Sequence, residues 1–366
     1  MPNDLLKYQI SLTLIPGIGD IVGKKLIAYC GGVEAVFKEN KNALMKIPGI
    51  GSSTVNSIIS QKVLHKAESE ISFIEKNNIK ALFYTDPDYP ARLLNCEDGP
   101  LLLYYKGNAD LNVPRVIGFV GTRKATNEGK VNCERMIKGL SSKGVLVVSG
   151  LAYGIDSYSH KAALDDGLQT VAVLGHGLDR IYPSQNKKLA AKMIDNGGLL
   201  TEFLTKTNPD RENFPKRNRI VAGMCDAILV VESGIRGGAM ITAGLANSYN
   251  RDVFAVPGRV NDEYSKGCNM LIKSTRAALA ETEKDIAYIM GWDDIKVDVK
   301  EQRDLFLQLT QTQKLVYDII EETKEISIDK LVIQSALPAS KVASTLLTLE
   351  FEGLIQSLPG KLYKTY

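Results

Sequence analysis

The sequence predicts an α/β protein in which a parallel sheet carries helices on both faces. An all-α module precedes the sheet, and a smaller module of three helices and two strands follows it. Three observations lead to this prediction. Short apolar segments alternate with amphipathic ones between residues 115 and 285, a pentapeptide repeats near the N-terminus, and the last segment is acidic with helical periodicity. Continuously apolar strands separated by helices are typical of a parallel sheet buried on both faces.

The composition is that of an ordinary globular protein and excludes several other classes. Of the 366 residues, 44% are hydrophobic and 24% are charged, so the chain is neither fibrous nor largely disordered. No apolar run reaches the roughly 18 residues that a membrane span needs, and the first residues lack the pattern of a signal peptide. Five cysteines without a CxxC pair and three scattered histidines indicate reduced thiols, a cytoplasmic location and no metal site.

A repeated turn motif defines the N-terminal module. Residues 15–19 read IPGIG, and the same pentapeptide recurs at residues 47–51. Each copy precedes a run with helical periodicity, and the pattern resembles a tandem helix-hairpin-helix (SAM-like) module over residues 1–78. Glycines permit the tight turn, and the turn exposes backbone N–H groups that suit a phosphate. Lys24 and Lys25 follow the first turn and are candidate DNA-binding residues. The alternative is a helical domain that does not contact nucleic acid.

Residues 79–285 are predicted to form the sheet domain. After two short strands at 79–84 and 101–105, the predicted strands are 116–120, 145–149, 171–174, 199–202, 227–232 and 253–256. The predicted helices are 127–142, 156–165, 185–196, 217–224, 242–249 and 269–280. Ligands of such sheets bind at the carboxyl ends of the strands, so the loops at those ends are where a site is expected.

Those loops are rich in glycine. They read GTR at 121–123, SGLAYGID at 149–156, GHGLD at 175–179 and GIRGGAMIT at 234–242. Glycine lets a phosphate approach the backbone, and each following helix presents free N–H groups. The dinucleotide pattern GxGxxG and the phosphate loop GxxxxGK[ST] are both absent from the sequence. Several glycine-rich strand ends in one sheet therefore favour an anionic ligand that is neither a dinucleotide nor a hydrolysed nucleoside triphosphate.

The positive charge of the chain lies in this same domain. Residues 115–285 carry 24 basic and 18 acidic side chains, whereas residues 1–114 are balanced and residues 286–366 have a net charge of −3. The most basic stretch, FPKRNR at 214–219, lies where a helix is expected to begin. Cations there oppose the helix dipole, which favours a bound anion as their partner. Solvation, or pairing with Glu202, Asp210 or Glu212, is the alternative.

Together these loops resemble the DNA processing protein A family (DprA, also called Smf). The resemblance rests on the elements above, on an Asp179…Tyr182-Pro183 element, on VFAVPG at 253–258 and on GCNMLI at 267–272. It implies an extended Rossmann-like fold that binds single-stranded DNA without sequence preference and protects it. It also implies a homodimer that loads RecA recombinase during natural transformation, with no catalytic activity and no cofactor.

The resemblance assigns the DNA contacts residue by residue. Arg123, Lys216, Arg217 and Arg219 match a basic pocket for the strand backbone, and Gly121 and Thr122 match main-chain contacts beside it. The remaining expected DNA-binding residues are Ser149, Gly150, Asn218, Gly237 and Gly238, with Phe214 as a further candidate. Phe214, Tyr182 and Phe203 are candidates for base stacking. The chain departs from the family pattern at Thr122, at residues 236–239, where a Ser-Gly pair is common, and at residues 274–276.

The C-terminal segment is predicted to be a linker at 286–303 followed by a winged helix at 304–366. Helices are expected at 312–321, 328–335 and 339–352, with a two-stranded wing after them. Winged helices often read DNA through the third helix. Here that helix carries Lys341 as its only cation, with Glu350 and Glu352 near its end. We therefore expect a protein-interaction or packing module.

Two other functions remain open from the sequence. Gly237-Gly238 followed by Thr242 faintly resembles the phosphate loop of nucleotide phosphoribohydrolases, for which Glu202, Glu232, Asp156 or His160 would supply the acid or base. A lone carboxylate at a strand end is more often a cap or an ion-pair partner. A winged-helix regulator of transcription is the second alternative, and the acidic third helix disfavours it.

Overall fold

The computed structural model describes residues 2–292, 309–351, 354–358 and 361–365. The chain forms two compact units that divide at residue 293. The first unit contains the N-terminal helices and the sheet domain. The second unit contains the C-terminal module.

Two helix-hairpin-helix units build the N-terminal module. Its helices are α1 (Pro2–Leu14), α2 (Asp20–Cys30), α3 (Val33–Lys38), α4 (Lys41–Met45), α5 (Ser52–Ile59) and α6 (Leu64–Lys76). The turns before α2 and α5 place Gly17 at φ 82° and Gly49 at φ 78°, a region that glycine enters without strain. Phe83 and Leu102 of the sheet belong to the same apolar core, so the module packs directly on the sheet domain.

The described residues of the first unit contain one nine-stranded sheet. Its strands are β1 (Lys80–Phe83), β2 (Leu102–Gly107), β3 (Val116–Val120), β4 (Leu146–Ser149), β5 (Thr170–Val173), β6 (Gly197–Thr201), β7 (Ala227–Val230), β8 (Asp252–Ala255) and β9 (Ala278–Leu279). The spatial order is β1-β2-β6-β5-β4-β3-β7-β8-β9, and the seven strands from β6 to β9 run parallel. The chain winds outward from β3 to β6 and then returns to β7 on the other side of β3, so a topological switch point lies beside β3.

Helices cover both faces of the sheet. They are α7 (Ala91–Leu94), α8 (Asn127–Leu140), α9 (Ile155–Asp165), α10 (Lys187–Asp195), α11 (Asn213–Met224), α12 (Gly238–Ser248), α13 (Lys266–Lys273) and α14 (Glu283–Ile289). Alternate residues of β3 enter different cores, as strand geometry requires. Val120 packs in the core that contains Ile220 of α11, whereas Ile117 and Phe119 pack in the core that contains Met136 of α8. The predicted fold class is confirmed.

The six predicted strands from 116 to 256 agree with the observed ones to within two residues, but three helices differ. Helices α11 and α12 each begin four residues earlier than predicted, so the basic stretch lies inside the first turns of α11. The helix predicted at 269–280 ends at Lys273. Thr275 has a left-handed φ of 55°, and the chain then enters β9.

The linker predicted at 286–303 is wrong for its first seven residues. A capping box between Thr282 and Asp285 starts α14, and Ile286 is fully buried. Trp292 is only 6% exposed and belongs to the core that contains Ile117. These residues therefore belong to the sheet domain, and residues 293–303 lie outside the described part of the chain.

The second unit is a winged helix. Its helices are α15 (Gln311–Thr323), α16 (Ile328–Ser335) and α17 (Ala339–Phe351), and its strands are β10 (Ile326–Ser327), β11 (Ile355–Leu358) and β12 (Leu362–Thr365). The strands form an antiparallel sheet in the order β10-β12-β11. Val316, Leu331, Leu346 and Ile355 fill its core. Glu352 and the predicted wing turn at 359–360 lie outside the described residues.

Replacing Trp292 tests whether the sheet domain extends to this residue. The change Trp292→Ala leaves a cavity in a packed core, so we expect the free energy of unfolding to fall by about 3 kcal/mol in urea denaturation. Tyr288→Ala is the control, since Tyr288 belongs to α14 and is 80% exposed. Equal stability of the two variants would place Trp292 outside the core.

Candidate nucleic-acid interface

A cleft of 1080 Å³ opens at the carboxyl ends of β3, β4 and β7. It lies at the switch point of the sheet, where open α/β folds bind their ligands. The loops after these three strands and the first turns of α11 and α12 line it. Among the expected DNA-binding residues, the structure brings the following to this cleft: Gly121, Thr122, Arg123, Gly150, Arg217, Asn218, Gly237 and Gly238, with the candidate Phe214.

The loops pack so closely that several of their glycines, Gly150 and Gly154 among them, have no room for a side chain. A Cβ on Gly150 would lie 1.9 Å from Nη1 of Arg217. A Cβ on Gly154 would lie 2.2 Å from the Thr122 carbonyl oxygen, and Gly154 has a φ of 75°. Glycine at 154 therefore lets the loops after β3 and β4 meet, and glycine at 150 leaves room for the Arg217 side chain of α11. The Thr122 N–H donates to the Glu232 carbonyl at 2.7 Å, so the expected main-chain contact from Thr122 is already used within the protein.

The floor of the cleft holds two buried groups of opposite charge. Arg217 is 5% exposed, and its Nη1 donates to the Val173 carbonyl at 2.6 Å while Nε donates to Oδ1 of Asn218 at 3.0 Å. Asp156, at the start of α9, is 8% exposed. Burial raises the pKa of Asp156, and the Arg217 charge opposes that rise. Burial lowers the pKa of Arg217, and Asp156 opposes that fall.

A cation and two aromatic rings that are tilted against each other form one wall. The Arg123 guanidinium lies 5.2 Å from the Phe214 ring centroid. The Phe214 and Tyr182 ring centroids are 6.1 Å apart, with an interplanar angle of 41°. Tyr182 is 45% exposed, so its ring is accessible to a ligand. Two of the three aromatic residues suggested by the sequence therefore lie in the cleft, whereas Phe203 does not line it.

Three cations that the sequence analysis did not place in the site also line the cleft. Arg211, Arg236 and Lys266 are exposed there, as Arg123 is. Arg236 stood out only as a departure from the family pattern. Arg211 lies three residues before the basic stretch, and Lys266 directly precedes the GCNMLI element. Basic residues within a few positions of a predicted loop motif lie at the same edge of the sheet as the motif. Closeness in sequence to these two motifs is therefore the signal that could identify Arg211 and Lys266 as site residues.

Three expected DNA-binding residues lie elsewhere. Ser149 is fully buried, and its Oγ donates to the Phe119 carbonyl at 2.6 Å. Lys216 is exposed but does not line the cleft. Arg219 donates through Nη2 to Oδ2 of Asp20 at 3.0 Å and also to Oε2 of Glu202. The expectation that Lys216, Arg217 and Arg219 form one basic pocket is therefore wrong. Arg217 lies one position from Lys216 and two from Arg219, and side chains at these spacings on a helix point in different directions.

The two lysines of the first hairpin also face the protein. Lys24 Nζ donates to the Glu97 carbonyl at 3.3 Å, and burial lowers the pKa of Lys24. Lys25 Nζ lies against the second hairpin, 3.2 Å from the point where a Cβ of Gly49 would stand. Neither lysine lines the cleft.

The acid–base candidates of the enzyme alternative are mostly engaged in structural contacts. Glu232 accepts from the N–H of Thr126 at 2.9 Å, at the start of α8. The Nδ1 of His160 lies 2.7 Å from Oγ1 of Thr170, and burial lowers the pKa of His160 to about 3. Glu202 is paired with Arg219. Of these candidates, Asp156 lines the cleft. Within the described residues, no cluster of three or more His, Cys, Asp and Glu side chains could hold a metal ion.

An extended Rossmann-like sheet with an open, glycine-lined cleft at its switch point defines the class of this protein. Residues 80–291 match the family model described as DNA recombination-mediator protein A, and residues 307–361 match the DprA winged helix domain. The chain therefore belongs to the DNA processing protein A (DprA/Smf) family, as the motifs predicted.

Relatives in several bacteria match most or all of the chain. Protein Smf of Synechocystis sp. is 32% identical over 398 residues, which span 100% of both chains. The crystal structure of DNA processing protein A from Streptococcus pneumoniae has a TM-score of 0.67 and 33% identity, and covers 77% of this chain and 97% of that one. The Helicobacter pylori homologue, solved for its single-stranded DNA binding mode, has a TM-score of 0.54 and 27% identity over 59% of this chain and 96% of its own. None of the described helices is long and apolar enough to cross a membrane.

Adding one methyl group at Gly150 tests the packing of the cleft floor. In Gly150→Ala the new Cβ collides with the Arg217 guanidinium, so we expect stability to fall by about 2 kcal/mol. Urea denaturation measures the loss. Gly238→Ala is the control, because Gly238 lines the same cleft and no atom outside its own turn of helix lies within 4 Å of the position that a Cβ would take. A loss no larger than that of the control would contradict the close packing.

The burial of the Glu202 carboxyl generates a pH dependence of stability. Burial is the main cause that raises the pKa of Glu202 to about 7 from 4.5, and the charge of Asp20 adds to the rise although Arg219 opposes it. The folded state therefore holds this proton more tightly than the unfolded state. The resulting stability is complete below about pH 4.5 and is lost as the pH rises through about 7. We expect wild-type stability to fall between about pH 4.5 and pH 7, and Glu202→Gln to lack this component. Parallel stability–pH curves for the wild-type protein and Glu202→Gln would contradict the raised pKa of Glu202.

Proposed function

We propose that the chain binds single-stranded DNA along this cleft without sequence preference and so protects it. One observation carries the proposal: exposed cations surround a cleft that has a glycine-rich lining and an aromatic wall. The exposed cations that line it are Arg123, Arg211, Arg236 and Lys266. Lys and Arg neutralise phosphates and release counterions, which gives affinity that does not depend on base sequence.

The aromatic wall favours a single strand over a duplex. The ring of Tyr182 is accessible, and Phe214 lies next to it. Bases stack on such rings only when they are unpaired, because the faces of paired bases are covered by their neighbours in the duplex. The single-stranded DNA binding of the Helicobacter pylori homologue supports this choice of ligand. Lys216, exposed on α11 directly after the cleft residue Pro215, extends the path of positive charge beyond the cleft.

Family membership supports a role in recombination. The matching family is described as a recombination mediator, and we propose that the bound strand is passed to RecA recombinase during natural transformation. A cytoplasmic homodimer is part of this proposal. No catalytic step is proposed, because Glu232, His160 and Glu202 have structural partners.

One observation keeps an enzymatic function as a second candidate. Asp156 lines the same cleft as Thr242, at the glycine-rich start of α12. A phosphoribohydrolase would release the base from a nucleoside monophosphate, and chromatographic detection of a free base tests that activity. Its absence with all common nucleotides would exclude this candidate.

The winged helix is proposed to contact protein rather than DNA. On α17, Leu347 is 57% exposed and Phe351 is 85% exposed. These two residues are four positions apart and therefore share one face of the helix. A DNA-reading helix would carry cations there to meet the phosphates.

Removing one cation from the cleft tests whether single-stranded DNA binds there. Arg123→Ala should weaken binding of fluorescent oligo-dT by roughly fivefold to tenfold, and should lower the slope of log K against log salt by about one. Lys138→Ala is the matched control. Lys138 is exposed in the last turn of α8, which begins at the cleft edge and ends at the opposite edge of the sheet. Wild-type protein without a preference for oligo-dT over a matched duplex would refute the proposal.

Deleting the second unit tests the assignment of the winged helix. A chain ending at residue 293 should bind oligo-dT with an affinity within about twofold of the full chain, because the phosphate contacts are assigned to the first unit. Fluorescence anisotropy at two salt concentrations measures the change. A collapse of affinity would assign DNA binding to the winged helix instead.

A further inference from the structure

We propose that the first hairpin is a clamp that positions helix α11, and that Asp20 and Arg219 are positioning residues for the DNA cleft rather than DNA contacts. This inference rests on the proposed function, since it concerns the helix that forms one side of the cleft. It assigns a role within the chain to a motif that the sequence marked as a candidate phosphate site.

The hairpin surface that would meet a phosphate is packed against the sheet domain. Asp20 is the first residue of α2 and directly follows the turn. Its Oδ1 accepts from the N–H of Leu101 at 2.8 Å, and its Oδ2 accepts from Arg219 at 3.0 Å. The Gly23 backbone lies so close to Leu101 that a Cβ would stand 2.3 Å from Cδ1 of that side chain. A negative side chain at the start of α2 would also repel a phosphate from the helix N-terminus.

Arg219 connects this hairpin to the cleft through α11. The same helix carries Phe214, Arg217 and Asn218 into the cleft. Arg217 fixes one side of the helix by donating to the Val173 carbonyl of β5. Arg219 fixes another side by pairing with Glu202, which directly follows β6, and with Asp20 of the hairpin. Movement of the hairpin is therefore transmitted to the residues that form the wall and floor of the cleft.

The three charged groups are sheltered enough for this arrangement to hold its geometry. The side chains of Arg219, Glu202 and Asp20 are 14%, 15% and 25% exposed. Charged pairs screened this little by water keep a defined geometry, and loss of one partner leaves the other without compensation. The Arg219 side chain cannot reach a phosphate in the cleft without breaking its ion pairs with Asp20 and Glu202.

The alternative assigns Arg219 to DNA directly and makes an opposite prediction. If Arg219 were a phosphate contact, Asp20 would compete with the DNA for its guanidinium. Neutralising Asp20 would then strengthen binding. If the hairpin is a clamp, neutralising Asp20 loosens α11 and weakens binding.

The change Asp20→Asn separates these two roles, because it removes the charge and keeps the size of the side chain. We expect oligo-dT binding to weaken about threefold to tenfold with an unchanged salt slope, since no phosphate contact is lost. Amide hydrogen exchange in residues 213–219 should become about tenfold faster, because local opening of α11 is easier. Glu34→Gln is the matched control. It removes one charge from the same module, at an exposed pair with Lys38, and should change neither measurement.

Two further measurements decide the outcome if Asp20→Asn folds poorly or DNA binding is absent. Asp20→Glu retains the carboxylate, so it should restore most of the affinity for oligo-dT and the slow amide exchange of α11. If the effect of Asp20→Asn came from general misfolding, Asp20→Glu would not restore either quantity. If wild-type protein fails to bind oligo-dT, the proposed function fails, and hydrogen exchange of α11 still tests the clamp. Tighter binding by Asp20→Asn, or unchanged exchange in residues 213–219, would overturn the proposal.

Discussion

The cleft depends on one buried cation, Arg217. Its guanidinium lies directly beneath Gly150 and donates to the Val173 carbonyl, so it joins α11 to the ends of β4 and β5. Asp156, at the start of α9, carries the opposite charge and counteracts the effect of burial on the pKa of Arg217. A buried guanidinium is tolerated only where its donors are satisfied and an opposite charge lies near. The loop after β4 must therefore contain glycine, and α11 must begin where it does, for the floor of the cleft to exist.

Helix α11 shows how a single basic stretch divides into several roles. Lys216 is exposed to solvent, and Arg217 donates to the Val173 carbonyl beneath the cleft. Arg219 pairs with Glu202, which follows β6, and with Asp20 of the first hairpin. Two of the three cations are therefore used to fix the helix. The cations that remain free to meet phosphate come mainly from the loops: Arg123, Arg211 and Arg236, with Lys266 at the start of α13. Rigid elements hold the backbone of the site, and loops supply its charge, as in many α/β proteins.

The sequence predicts the elements of the fold well and the partners of its charges poorly. Alternating apolar strands and glycine-rich strand ends are local signals, and they place the sheet, the switch point and most of the cleft. The pairing of Arg219 with Asp20 joins residues 199 positions apart, and no local pattern contains it. Ser149 could not be recognised as structural, because its hydroxyl bonds a carbonyl on the neighbouring strand. The sequence places the domain boundary too early, because the polar residues around α14 outweigh Ile286 and Trp292, which are buried.

Photocrosslinking tests the central claim most directly, because it reports where the strand lies. Oligo-dT carrying 4-thiothymidine would be bound to the full chain, irradiated at low salt and mapped by mass spectrometry. Since unpaired bases are expected to stack on the aromatic wall, crosslinks should fall on Tyr182 and Phe214, and Arg123→Ala should reduce them. Crosslinks confined to the hairpin helices or to α17 of the winged helix would contradict the account.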